Sequence, residues 1–453
     1  MISCSLHIPD YNKHSGVQYD YETISYVWGD PQDKKMVLCD GMGMQVTQNL
    51  VDVLRSVRHH DRSRQLWADA ICINQSDNEE KAAQVAQMLR IYQRAKLVLV
   101  WLGQHDQYSK VAMPIFEKMY EIMQRGSPAK ARNPNDSPDP DNDFKQLRNE
   151  LKLDSMDWKS IGFFFSRPYF SRIWVLQEAS ANLATVMLCG DSQLPFTAVT
   201  SIARCICISL QSEPEIAGRC NFRGKGFYHA SLMFTQLHDI RRDLLEMLQL
   251  GRECECSDQR DKLFALYRLL DPGHIRFHGM TRISLAPNYT ETVQNLYLKI
   301  ATYSIQTTHS LGVLRYVHHA SSVSLKRLSW VPRWDVWDTC PKFGLHEWAA
   351  SGWRTVDPIP KDVSEHLRLR GVAFDVVREV HSYRGSSCWR DPPLEIAASW
   401  SSLFDGGRYI TGEQLASAFA LTMAASFFPL EKAKATPFKT LPSISPLGSC
   451  IKE

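Results

Sequence analysis

Three separated stretches of this chain carry residues whose types could do chemistry together. The first holds Ser25, Tyr26, Trp28, Gly29 and Asp30, the second Asp69, Asn74 and Gln75, and the third Trp174, Gln177 and Glu178. A carboxylate can move a proton or steady a developing cation, hydroxyls and amides can orient a sugar, and an indole can stack on a ring. Trp174 and Glu178 are four apart, so on a helix they share a face. Each residue also has a structural use. Trp28, Trp67, Trp101 and Trp174 suit core or cleft walls, and Asp69 can brace the turn after a strand. Asn74 and Gln75 are ordinary turn and cap residues, and Glu178 can pair with Arg172 nearby. Spacing alone leaves both uses open.

What must position these residues is an alternation of strands and helices. Residues 21–27 (YETISYV) form an apolar, β-branched and aromatic run that stops at Trp28-Gly29-Asp30-Pro31, a strand followed by a turn. Residues 36–46 predict a hairpin turning at Asp40-Gly41. Leu50, Val53, Leu54 and Val57 fall on one helical face behind Thr47 as cap. Residues 65–73 (QLWADAICI) predict a buried strand, and Ser76 with Glu79 has capping-box spacing before a helix through Val85, Met88, Leu89 and Tyr92. Residues 96–102 (KLVLVWL) have the continuous apolar character of a central parallel strand. A helix over 171–184 and a strand over 185–189 complete an α/β pattern with a parallel sheet flanked by helices. In such a sheet ligands sit outside the carboxyl ends of the strands, where all three polar stretches are expected to meet.

The rest of the sequence narrows the class. Lys and Arg number 52 against 49 Asp and Glu, a net charge of +3, which leaves no basic surplus for nucleic acid. There is no secretory pattern at the start and no apolar run long enough for a membrane span, so a soluble cytoplasmic protein is expected. Twelve cysteines in this length do not make a disulfide framework, and the two C-x-C pairs, Cys205/Cys207 and Cys254/Cys256, lack a second pair at zinc-ligand spacing. Residues 126–143, with four prolines and almost no large apolar side chain, predict a flexible insertion. The expected organisation is an α/β domain over 1–190, a mixed, mainly helical region over 191–428 without a chemistry signature of its own, and a disordered tail over 429–453. No G-x-S-x-G elbow, H-E-x-x-H or P-loop is present.

At these stretches the sequence resembles the fungal heterokaryon-incompatibility (HET) family. Residues 21–30 (YETISYVWGD) are similar to its opening motif. Residues 66–75 (LWADAICINQ), with Glu80, Gln84, Val85, Met88, Ile91, Tyr92 and 100–103 (VWLG), are similar to its central block, and 167–178 (RPYFSRIWVLQE) to its third. Weaker similarity continues through 258–270, 329–335 and 409–422. Tyr169 stands where the family more often has tryptophan. A strand usual upstream is expected to be missing, and further strand-forming sequence is usual beyond Ala425. The resemblance implies a cell-death effector or signalling module of non-self recognition, working with protein partners and by self-association. HET domains in turn resemble TIR domains, which have a flavodoxin-like sheet. Their S-[YF] pair is matched by Ser25-Tyr26, and their S-x-W-C-x-x-E helix by Ser171, Trp174 and Glu178, with one extra residue and valine for cysteine. That resemblance implies NAD glycohydrolysis with Glu178 as the catalytic carboxylate and no required cofactor, NAD being the substrate. Trp28 or Trp174 would stack on a ring, and Tyr26, Asp69 and Asn74 would orient riboses. A scaffold with a vestigial cleft is the alternative.

Overall fold

The computed structural model describes residues 2–7, 20–126, 140–209, 226–237, 244–269, 286–308, 310–317, 328–336 and 367. The chain divides into two compact units, residues 1–308 with 331–336, and residues 309–330 with 337–453. In the second unit a short 3-10 helix, Gly312–Tyr316, buries Val313 and Tyr316. All that follows concerns the first unit.

Its strands are β1 Ser3–Cys4, β2 Glu22–Tyr26, β3 Lys34–Cys39, β4 Met42–Thr47, β5 Leu66–Trp67, β6 Leu97–Trp101, β7 Thr185–Cys189 and β8 Ser192–Pro195. They form a small sheet ordered β1-β3-β4 and a larger one ordered β5-β2-β6-β7-β8. In the larger sheet β5, β2, β6 and β7 run parallel, with Ser25 beside Val100 and Tyr26 beside Trp101, and β8 returns antiparallel to β7. Counted from β2 along the chain, the parallel strands lie in the order 2-1-3-4. Parallel neighbours need crossovers, and helices supply them.

Side chains alternate across β2. Ile24 and Tyr26 face a cluster with Leu50, Val53 and Val57 of the helix Gln48–Val57 and with Val37 and Val46 of the hairpin. Each such aliphatic side chain contributes about 1.5–3 kcal/mol on burial. Ser25 faces the other way, toward the short helix Val175–Ser180, where it meets Glu178. Helices Ser109–Gly126, Pro140–Leu151 and Ser155–Phe165 lead to that segment.

The strands at 22–26, 97–101 and 185–189 and the 34–47 hairpin are where the sequence predicts them, with Asp40 (φ 50°) and Gly41 (φ 78°) in the turn. Other elements differ. The run 65–73 pairs only at Leu66–Trp67, because the chain then coils into a single helical turn, Asp69–Cys72, in which the Ala70 amide donates to Asp69 Oδ1. The next helix is capped by Asp77, which accepts from Glu79 and Glu80 N–H, and not by Ser76, which is engaged with Asn74. That helix breaks at Ala86–Gln87 into Asn78–Val85 and Met88–Arg94. The helix expected over 171–184 is a 3-10 turn, Pro168–Ser171, followed by six helical residues, Val175–Ser180, because the extended backbone of Arg172 separates the two. Thr47 sits at the N-cap of its helix without a side-chain bond to it. Within the expected insertion, residues 140–143 open the helix Pro140–Leu151; residues 127–139 and the tail 429–453 lie outside the described residues.

Candidate functional site

The three polar stretches converge at the carboxyl end of β2. Ser25 Oγ donates to Glu178 Oε2 at 2.5 Å. Its single proton being used there, the Tyr169 hydroxyl is the donor in the 2.9 Å contact between Tyr169 and Ser25. Arg172 donates through Nη1 to the backbone carbonyl of Tyr26, the last residue of β2. Asp69, just past β5, accepts from Trp28 Nε1 at 2.8 Å and from the Ala70 amide at 2.8 Å. Tyr92 closes the back by donating to the Ile24 carbonyl at 3.1 Å. A serine, two carboxylates, an arginine and two tyrosines, Tyr169 and Tyr92, thus come from five elements to one rim of the sheet.

Their electrostatics follow from dryness. Glu178 is only 2% exposed. Burial pushes its carboxyl up to about 7, and the neighbouring Asp69 adds to the rise, while Arg172 and the Ser25 hydrogen bond hold it back. Asp69 is likewise raised by burial and restrained by Arg172 and by the Trp28 indole. Burial moves Tyr26 and Tyr169 upward too, so both hydroxyls stay protonated at neutral pH. One guanidinium faces two acids, and the cluster settles its charge by keeping a proton on Glu178 much of the time at neutral pH. Beside it, both amide atoms of the fully buried Gln177 and the Thr23 hydroxyl have no hydrogen-bond partner.

Of the residues the sequence singles out, Ser25, Tyr26, Asp69 and Glu178 lie within electrostatic reach of one another. Trp28 joins them through Asp69 and is 36% exposed. Asn74 is occupied locally, its Oδ1 accepting from Ser76 N–H and Oγ, and Gln75 donates to the Asp69 carbonyl. Trp174 points its indole N–H to Asp261 Oδ2 at 3.1 Å, where Tyr289 also donates at 2.8 Å. This is a brace. Ile173 N–H donates to the Glu255 carbonyl, and the buried Lys262 donates to the carbonyls of Gly251, Arg252 and Cys254, stiffening the loop that carries Glu255. Two surface grooves, of about 540 and 250 Å³, lie along the helix Gln48–Val57 and the face of β6–β8, and none of the predicted residues lines either. Among the described residues no group of three or more His, Cys, Asp or Glu is arranged to hold a metal ion, and no helix is long and apolar enough to cross a membrane.

Sequence reasoning missed Tyr169 as a partner of Ser25 and Asp261 as the anchor of Trp174. Tyr169 had a signal, since it stands where tryptophan is more usual in the resembling family, and its hydroxyl is what reaches Ser25. Arg172, which the sequence offers as one possible partner of Glu178, interacts with it through space while its hydrogen bond goes to β2.

The fold and the cluster define the class first: an α/β domain with a closed, partly protonated polar cluster at the carboxyl rim of its sheet. Residues 21–178 match the family model described as Heterokaryon incompatibility protein (HET), so that stretch is a HET domain, and every residue of the cluster lies inside it; Asp261, the anchor of Trp174, lies beyond it. The chain is also 27% identical to Heterokaryon incompatibility protein 6, OR allele, of Neurospora crassa, over 82% of this chain and 61% of that protein. It therefore spans about three fifths of the length of the curated relative it matches. No solved structure matches the chain.

Proposed function

We propose that this chain acts in fungal non-self recognition, that is, in heterokaryon or vegetative incompatibility, as a cytoplasmic cell-death effector or signalling module that works with protein partners and by self-association. The HET-domain match and the name of the Neurospora crassa relative support that role. For its chemistry we propose TIR-like NAD glycohydrolysis. The 2-1-3-4 order of the parallel strands is that of flavodoxin-like sheets, whose ligands sit at the carboxyl rim. The observation that carries the reading is the Ser25–Glu178 contact at that rim.

The chemistry suits the parts. Cleaving the ribose–nicotinamide bond expels a neutral pyridine from a pyridinium, so no general acid is needed. What is needed is a carboxylate against the oxocarbenium-like transition state. In the closed cluster burial pushes the Glu178 carboxyl up to about 7, which favours its protonated form. Opening would relieve the burial that raises it, so the same group would ionise as substrate and water enter. Trp28, the exposed indole of the set, would stack on a ring, and Asp69 and Tyr26 would orient hydroxyls.

A non-enzymatic scaffold is the second reading, and the burial of Glu178 is the observation that favours it. The two separate in one assay: purified chain, forced to oligomerise, is incubated with NAD and nicotinamide is measured. The enzymatic reading predicts release that Glu178→Ala abolishes. No release from the wild type, with cell killing that survives Glu178→Ala, would leave only the scaffold.

A further inference from the structure

Among the described residues the two sheets end in four free edges, and three of them are blunted. β1 and β5 are two residues long, and β8 ends in Pro195. Short strands and proline are the ordinary protections of an exposed edge. The fourth edge, β4, has none: six residues, MGMQVT, without a charge, a proline or a bulge in its ladder with β3. The row Val46, Met44, Met42 starts inside the core and runs out of it, from 5% exposure at Val46 to 73% at Met42.

The hairpin geometry says which backbone groups are free. A two-residue turn at Asp40-Gly41 closes on a hydrogen-bonded pair, Cys39 with Met42, and pairs alternate from there. Met42, Met44 and Val46 therefore spend their backbone groups on β3, while Gly43 and Gln45 turn theirs outward. The edge carries no side-chain charge that would repel its own copy, and Gly43 leaves it flat on one face.

We propose that β4 pairs antiparallel with β4 of a second copy of this chain, about a two-fold axis normal to the sheet, joining the two small sheets into one. A two-fold contact is self-complementary by construction. It sets both apolar rows on the same face, so the exposed Met42 of each copy packs against the partner strand's apolar row. This names a surface for the self-association in the preceding section and rests on that part of the reading alone.

The test is the mass of the full-length chain by sedimentation equilibrium across a concentration series, without NAD, for the wild type, Gln45→Pro and Gln45→Lys. Proline removes an outward N–H without touching the β3 ladder, and lysine sets one cation from each copy on the same face of the joint, in diagonal positions. Circular dichroism checks that each variant is folded. The expected result is a wild type that rises from one chain mass to two, with both folded variants staying at one. A wild type that remains at one chain mass at its highest soluble concentration overturns the proposal, as does a dimer that both substitutions leave intact. Nicotinamide release is read separately, so failure of β4 pairing and failure of the catalytic reading do not mimic each other.

Discussion

Glu178 holds the site's chemistry in its protonation. Its folded-state midpoint of about 7 lies above its ordinary 4.5, so the folded chain binds that proton more tightly than the unfolded one. The resulting stability is present in full below about 4.5 and is lost as pH rises through 7, a loss of about 3 kcal/mol at roughly 1.4 kcal/mol per pH unit. Glu178→Gln removes the titration while keeping an acceptor for Ser25. Urea unfolding should therefore show wild type and variant converging in acid, with the wild type falling behind by that amount above pH 7; parallel curves across the range would contradict it. At this scale the sequence was informative about types and silent about partners. Ser25 and Glu178 were legible as candidates from their spacing to aromatic neighbours. That one donates to the other was not, since 153 positions separate them. Trp174 shows the limit most clearly: its i, i+4 relation to Glu178 suggested a shared cleft, yet its N–H is anchored by Asp261, 87 positions downstream.

Among the elements, strong local signals were read correctly and competition was not. Residues 97–101 read as a central strand because every side chain is apolar, and β6 lies between β2 and β7. Residues 65–73 carry almost the same apolar character, but Asp69 offers its carboxylate to the Ala70 amide and starts a helical turn there. A short polar side chain capturing a local N–H competes with strand pairing and is hard to weigh from sequence. That deviation is what sets Asp69 beside Trp28. The turn of the β3–β4 hairpin makes the opposite case, because Asp-Gly is a strong signal and Gly41 has φ 78° with open space where a Cβ would stand. Gly41→Ala should thus cost only the left-handed backbone penalty, about 1–2 kcal/mol. A thermal melt measures it, and an unchanged midpoint would argue against this turn geometry.

For the whole molecule the HET match ends at Glu178, whereas the packing does not. Phe227 packs at a tilt of 53° against Phe165 with 4.2 Å between centroids, His229 donates to the Phe170 carbonyl at 2.9 Å, and Glu255 pairs with the backbone on either side of Arg172. Gly226 sits so close to the Phe165 carbonyl that any side chain there would collide with it. A chain ending at residue 190 would uncover Phe165, Phe170 and Ile173 and release the brace on Trp174. It is expected to aggregate or to melt without cooperativity, whereas one continued through 336 melts cooperatively; equal cooperativity of the two would refute that dependence. The sequence carries little warning of this, because the helices Phe196–Ser209, Gly226–Leu237, Leu244–Gly251 and Val293–Thr308 hold no chemical motif, and burial against the site is a property of packing that periodicity does not report.

The centre of the proposed site is a carboxyl group buried at the rim of the parallel sheet. Carbon-13 labelling of the glutamate side chains, with Glu178→Gln to assign the resonance, allows the Glu178 carboxyl to be titrated in the intact chain. The midpoint predicted is near 7, moving higher in Ser25→Ala because the hydroxyl that favours the charged form is gone. A midpoint at the ordinary 4.5, indifferent to Ser25→Ala, would mean that the three stretches do not close around Glu178.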